Sequence, residues 1–200
     1  MKTGAPSQSL PPPTPPPGAP GELRLLKAGF GFFQPDIWIV DTEGEPRVWK
    51  TWFRRPALEV KLSSNRLCRR EGQILKALRD LDGVPRFLSH PHPWTLEMTL
   101  LDAEPVPEVR EAGELTPLYF DRLWEMLTFM HEHGINHGDL RRKNLLRAPG
   151  DPGTPRMVDF TQSFHFHPPV RGIRKMLLDQ AIRIDRVTFL KLKRWYLGPE

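Results

Sequence analysis

The chain has 200 residues, 38% of them hydrophobic, and a formal net charge of +5 at pH 7. That length suits one ordinary domain or two small lobes. Cys68 is the single cysteine, which excludes an internal disulfide and a cysteine-based zinc site and fits a reducing compartment. No apolar run approaches the roughly 20 residues a membrane span needs, and no apolar core follows Lys2, so no secretory signal is expected.

Residues 1–21 are dominated by proline and cannot bury a core, so a disordered or extended polyproline tail is expected. Strands follow. Leu23 to Leu26 is one apolar run, Asp36 to Asp41 alternates around Trp38 and Val40, and Arg47 to Phe53 carries Val48, Trp49 and Trp52. A turn at 42–45 makes the three an antiparallel meander. Ser63, Ser64 or Asn65 is expected to cap a helix ending near Arg79, with Leu67, Ile74, Leu75 and Leu78 as its apolar stripe. Val84 to Leu88 and Thr95 to Leu101 read as two more strands, joined by His90-Pro91-His92-Pro93.

A polar linker spans Glu104 to Glu114. Thr116 then caps a helix with Pro117 at its first position, and Phe120, Leu123, Trp124, Leu127 and Met130 repeat at helical spacing until Gly134. Two short strands, Leu145-Leu146 and Met157-Val158, flank a turn at 149–153. The last segment is a basic helical region closed by Gly198-Pro199. From 171 to 200 eight cations face three acids, which equals the chain's whole charge excess. Such a region can be a solvated helix face or can meet phosphate or anionic lipid.

Between the capped helix and the short strands lies His137-Gly138-Asp139-Leu140-Arg141-Arg142-Lys143-Asn144, and the second strand ends in Asp159-Phe160. An acid, an amide five residues on and a second acid after a hairpin suit phosphoryl transfer. Asp139 would orient the acceptor hydroxyl or act as its base, and Arg141 would offset charge on the transferred group. Asn144 and Asp159 offer hard oxygens to Mg²⁺ or Mn²⁺. Glu71 falls on the apolar stripe of its helix, where a carboxylate needs a cation, and Lys50, on the third strand, is the candidate. Gly29 and Gly31 would let backbone N–H groups approach phosphate, although Gln34 stands where a third glycine would complete the loop. The backbone of Thr99, Leu100 or Leu101 would meet an adenine edge. The paired histidines at 90/92, 131/133 and 165/167 follow no strict metal pattern, so zinc is not expected.

In this order the motifs resemble the protein-kinase superfamily, specifically its small bacterial branch related to lipopolysaccharide-core (Kdo and heptose) kinases and RIO-type kinases. His-Gly-Asp in place of His-Arg-Asp points to that branch, as does Arg69-Arg70-Glu71 followed by Gly83-Val84-Pro85-Arg86-Phe87-Leu88. The resemblance implies an α+β, two-lobed protein-kinase-like fold. An antiparallel five-stranded N-lobe with one helix would cover 22–103, and a truncated, mainly helical C-lobe 104–200. It implies ATP and a divalent metal as cofactors and a hydroxyl acceptor as substrate, either a small or lipid-linked sugar or the protein's own Ser or Thr. A cytoplasmic protein is expected, with the basic tail at the inner face of the membrane and nucleic acid an unfavoured partner. The short C-lobe and the imperfect glycine loop favour the alternative of a catalytically weak nucleotide-binding pseudokinase or scaffold, and three departures disfavour a protein substrate held on the usual platform. Thr161 replaces the glycine after Asp159-Phe160, no Ala-Pro-Glu follows, and 41 residues remain after Asp159.

Overall fold

The computed structural model describes residues 13–29, 34–43, 45–53, 58–107 and 115–198. The backbone forms two compact units, one from residues 1–69 and 88–100, the other from 70–87 and 101–200. The division passes through the first helix, α1 (Leu58–Ala77), and through the fourth strand.

The first unit is built on a five-stranded sheet of β1 (Glu22–Lys27), β2 (Asp36–Thr42), β3 (Glu45–Thr51), β4 (Phe87–His92) and β5 (Thr95–Thr99), in the order β1-β2-β3-β5-β4. The β1–β2, β2–β3 and β3–β5 pairs are antiparallel, as the alternation and turn signals require. Register sets Trp38 opposite Trp49, and these two with Val40 form a buried cluster against which Ala19 and Leu23 pack. Trp49 also faces Glu97, whose buried carboxylate accepts from Trp49 Nε1 at 3.2 Å and Ser89 Oγ at 2.6 Å.

Three expectations are corrected here. Residues 13–21 are not a free tail. Ala19 packs on the tryptophan cluster, the Pro17 carbonyl accepts from His92 Nε2 at 2.8 Å, and the Pro20 carbonyl accepts from Thr42 Oγ1 at 3.3 Å. Proline lowers the entropy lost on docking, so such a segment needs few contacts to settle. Residues 1–12 and Gly44 of the expected turn lie outside the described residues. Helix α1 starts at Leu58, and Ser63, Ser64 and Asn65 lie within it rather than capping it; Ser64 is fully buried. The strand expected at 84–88 instead runs from Phe87 through His92. Its Pro91 does not end it, because at the sheet's edge a missing N–H costs no ladder bond.

In the second unit α2 (Pro117–Glu132) behaves as the sequence predicts. The Thr116 side chain accepts from Tyr119 N at 3.3 Å, Pro117 opens the helix, and Gly134 takes φ +71° just past its end. Phe120, Leu123, Leu127 and Met130 are buried, each stabilising by roughly 1.5–3 kcal/mol through burial. Their partner is α3 (Gly172–Leu197), where Phe189 and Tyr196 lie 6.2 and 6.0 Å from the Phe120 ring. The short strands of this unit are β6 (Glu104–Pro105), which precedes α2, and β7 (Ile135–Asn136), β8 (Leu145–Ala148), β9 (Asp151–Met157) and β10 (Phe164–His165), which follow it in the chain. They form a β6-β8-β9 sheet and a β7-β10 pair.

Candidate active site

The His137–Asn144 loop starts at β7 and ends in a single 3₁₀ turn, Arg142–Asn144, that leads into β8. Its charged side chains converge. Arg141 donates from Nε and Nη2 to Asp139 Oδ2, the former at 2.8 Å. Asn144, 4% exposed, donates from Nδ2 to the Asp139 backbone oxygen at 2.9 Å and to Oδ2 at 3.0 Å. The carboxylate is therefore aimed from two sides, and the Asn144 Oδ1 end is the amide's acceptor.

The loop is anchored by an acid the sequence reading treated only as one negative charge of the tail. Asp185 of α3, 1% exposed, accepts from His137 N at 2.7 Å, Gly138 N at 2.9 Å and His131 Nε2 at 3.1 Å. These charge-assisted bonds satisfy two backbone donors that no strand or helix serves. Gly138 sits at φ +76°, and a side chain there would collide with the Gln162 carbonyl. That accounts for glycine within His-Gly-Asp in this chain. His137 is fully buried. Burial pushes its imidazole below the ordinary histidine range, against the upward pull of Asp185, Asp159, Asp139 and the Val158 carbonyl. A neutral His137 is a brace: its Nδ1 accepts from Asp139 N at 3.3 Å and its ring lies 5.0 Å from that of Phe160.

Asp159 follows β9 in a left-handed conformation, φ 67° and ψ 72°, a backbone state that costs a non-glycine residue about 1–2 kcal/mol. Its neighbours hold it there. Glu71, 1% exposed, accepts from Phe160 N at 3.1 Å through Oε1 and from Thr161 Oγ1 at 3.2 Å through Oε2. The Thr161 hydroxyl also lies 2.7 Å from Asp159 Oδ1. Arg70 donates to the Thr161 carbonyl and stacks 4.6 Å from the Phe164 ring centroid. Burial pulls the Arg70 guanidinium below its usual range while Glu71 raises it. Ser163 Oγ donates to the His137 carbonyl at 2.7 Å, and Phe164 pairs with Asn136 across β7 and β10. The Asp159–Phe164 turn and the His137–Asn144 loop are thus one bonded assembly.

The remaining expected site residues are distributed as follows. Lys50 of β3 is buried at 3% exposure between Ile37 and Leu96 in the sheet register. Gly29 N donates to the buried Asp36 Oδ1 at 2.8 Å, while Gly31 lies outside the described residues. Thr99 ends β5 in the first unit, and Leu101 belongs to the second. The structure thus joins Asp139, Arg141 and Asn144 in one group, and Asp159 and Glu71 in another beside it. Sequence reasoning missed Asp185 and assigned no bonding role to Thr161 or Arg70. Asp185 was recoverable: with Leu178, Phe189 and Tyr196 it shares the buried face of α3, the same argument that singled out Glu71.

Chemically, a carboxylate held between a guanidinium and an amide can accept a hydroxyl hydrogen, and an acid on a left-handed turn beside an amide oxygen can take a divalent cation. Asn144 and Asp159 fit Mg²⁺ in donor type, both offering hard oxygen. Among the described residues no group of three or more His, Cys, Asp or Glu is placed to hold a metal.

A carboxylate loop, an acidic turn after a hairpin and a five-stranded sheet with one long helix define a protein-kinase-like fold. The sequence pattern of the RIO domain matches residues 51–177, and the chain belongs to that family. No curated protein matches it in sequence. Among solved structures it is similar to the Rio2 kinase–ADP/Mg²⁺–phosphoaspartate complex from Chaetomium thermophilum, at 24% identity and a TM-score of 0.60. It is also similar to Rio2 kinase from the same organism, at 23% and 0.58, and to an Stt7 homolog from Micromonas algae soaked with ATP, at 18% and 0.56. Each match covers 84% of this chain, but the chain spans only 54%, 56% and 57% of those structures respectively.

Proposed function

We propose that the chain is an ATP-dependent phosphotransferase that moves the γ-phosphoryl group to a hydroxyl acceptor. The observation that carries this reading is Asp139 held by Arg141 and Asn144 on the same loop, with Asp159 on the adjoining turn. In this reading Asp139 receives the acceptor's hydroxyl and its proton. Arg141 keeps that carboxylate oriented and adds positive charge beside the transferred group. Asn144 and Asp159 would hold Mg²⁺ or Mn²⁺, which when bound would supply positive charge against the phosphates. Lys50 meets the phosphates, Glu71 holds the Asp159 turn in place, and the backbone at Thr99 or Leu101 meets the adenine edge.

The acceptor is a small or lipid-linked hydroxyl compound, or the protein's own Ser or Thr. The basic face of α3, with Arg183, Arg186, Lys191 and Lys193, suits a working position at an anionic membrane surface on its cytoplasmic side. No helix among the described residues is long and apolar enough to cross a membrane. The deciding experiment is Mg²⁺-dependent transfer from labelled ATP to the protein and to cell-envelope extracts, run beside Asp139→Asn and Lys50→Ala. Transfer should fall at least ~10³-fold in Asp139→Asn while nucleotide still binds. Equal transfer by the parent and both variants would reject the assignment. Nucleotide binding without any transfer would select the scaffold reading, which the incomplete glycine loop favours.

A further inference from the structure

Beside the His137–Asn144 loop the second unit carries a cavity of about 510 Å³, lined by Pro105, Val106, Arg141, Arg142, Lys143, Leu145 and Leu146. Its floor is apolar: Val106 and Leu145 are buried. Its rim is three consecutive cations, and among the described residues no acid lines it. The walls are fixed from outside. Tyr196 donates its hydroxyl to the Pro107 carbonyl at 2.7 Å, and the Arg142 guanidinium lies 5.5 Å over the Trp195 ring. Arg141 is the same residue that grips Asp139, so the cavity opens next to the carboxylate proposed to receive the acceptor's hydroxyl.

We infer that this cavity is an acceptor subsite for an anionic group, a phosphomonoester carried by the hydroxyl compound that is to be phosphorylated. The inference rests on the phosphotransferase reading for its meaning, but its test reads binding alone. The volume lies within the range of small-molecule sites and is too small for a folded partner. A cavity with an apolar floor and cationic rim focuses positive potential inward. An anionic acceptor approaching Asp139 would meet a like charge, and Arg142 and Lys143, three and four residues along the loop, offset that repulsion. Arg142 is oriented by its ring partner and offers forked N–H donors suited to phosphate, with Lys143 as the adjacent point charge.

The experiment is calorimetric titration of the full chain with glycerol 3-phosphate, with glycerol as the uncharged control. Phosphatidylcholine vesicles with and without phosphatidic acid form a parallel arm. Glycerol 3-phosphate should bind and glycerol should not. Lys143→Gln should weaken binding several-fold, and Arg142→Gln/Lys143→Gln at least ~10-fold, consistent with loss of charge-assisted bonds. The charge-matched pair Arg24→Gln/Lys27→Gln, on exposed β1, should keep parental affinity. Lys143→Gln removes no ring stacking and so protects the test against loss of local folding. Preference for phosphatidic acid vesicles over glycerol 3-phosphate would assign the phosphate to a lipid headgroup, the reverse to a free phosphomonoester. Absence of binding in both arms, binding indifferent to Arg142 and Lys143, or displacement by an oligonucleotide alone would overturn the inference. Loss of transfer with this binding intact would reject the phosphotransferase reading and leave the subsite standing.

Discussion

The Thr161 hydroxyl has one hydrogen and two carboxylate neighbours, Asp159 Oδ1 at 2.7 Å and Glu71 Oε2 at 3.2 Å. It can donate to only one at a time. A cation on Asp159 would compete for that oxygen, and the hydroxyl would then turn to Glu71. We therefore expect Thr161→Val to weaken Mg²⁺-dependent nucleotide binding by about ten-fold, through loss of one charge-assisted bond. Thr161→Ser should restore it. Mg²⁺ titrations with a fluorescent ATP analogue read this directly, and a Val variant with parental Mg²⁺ dependence would remove the role. His137 supplies a pH prediction. Its folded pKa lies below the unfolded value of about 6.5. The unfolded chain therefore binds the proton first as pH falls, and stability is lost progressively below about pH 6.5. Urea midpoints measured across pH 5 to 8 should show that slope, and His137→Asn should flatten it.

At the scale of elements, the loop depends on a helix far along the chain. Asp185 closes two backbone N–H groups and His131 over it, so Asp185→Ala leaves buried donors unsatisfied. A loss of about 2–4 kcal/mol in unfolding free energy is expected, with faster amide exchange at His137 and Gly138. Asp185→Asn, which keeps an acceptor, should lose less; equal losses would mean that the side chain only fills space. Gly138→Ala should be damaging although its environment is polar, because it combines positive φ with a collision against Gln162. At the other end of α2, Thr116→Ala should cost about 1 kcal/mol, the usual worth of such a cap.

For the whole molecule, each unit has its own core: the Trp38–Val40–Trp49 cluster in one, the Phe120–Phe189–Tyr196 group in the other. The segment 13–21 belongs to the first core through Ala19 and the Pro17 and Pro20 carbonyls. Removing residues 1–21 should therefore lower the thermal midpoint by several degrees, as expected for about 1 kcal/mol in a domain of this size. An unchanged midpoint would show that the docking adds nothing.

By itself the sequence determined the meander, the capped and glycine-closed α2, the basic α3 and the order of the acidic motifs. These depend on local periodicity, caps and turns, which neighbouring residues decide. It also isolated Glu71, because a carboxylate on an apolar stripe is conspicuous without any partner being known. Tertiary structure alone decided what those groups touch. The docking of a proline segment, the anchoring by Asp185 and the hold of Glu71 on the Asp159 turn all join residues far apart in the chain. Such contacts depend on which buried donors face which acceptors after folding, and no local pattern encodes that.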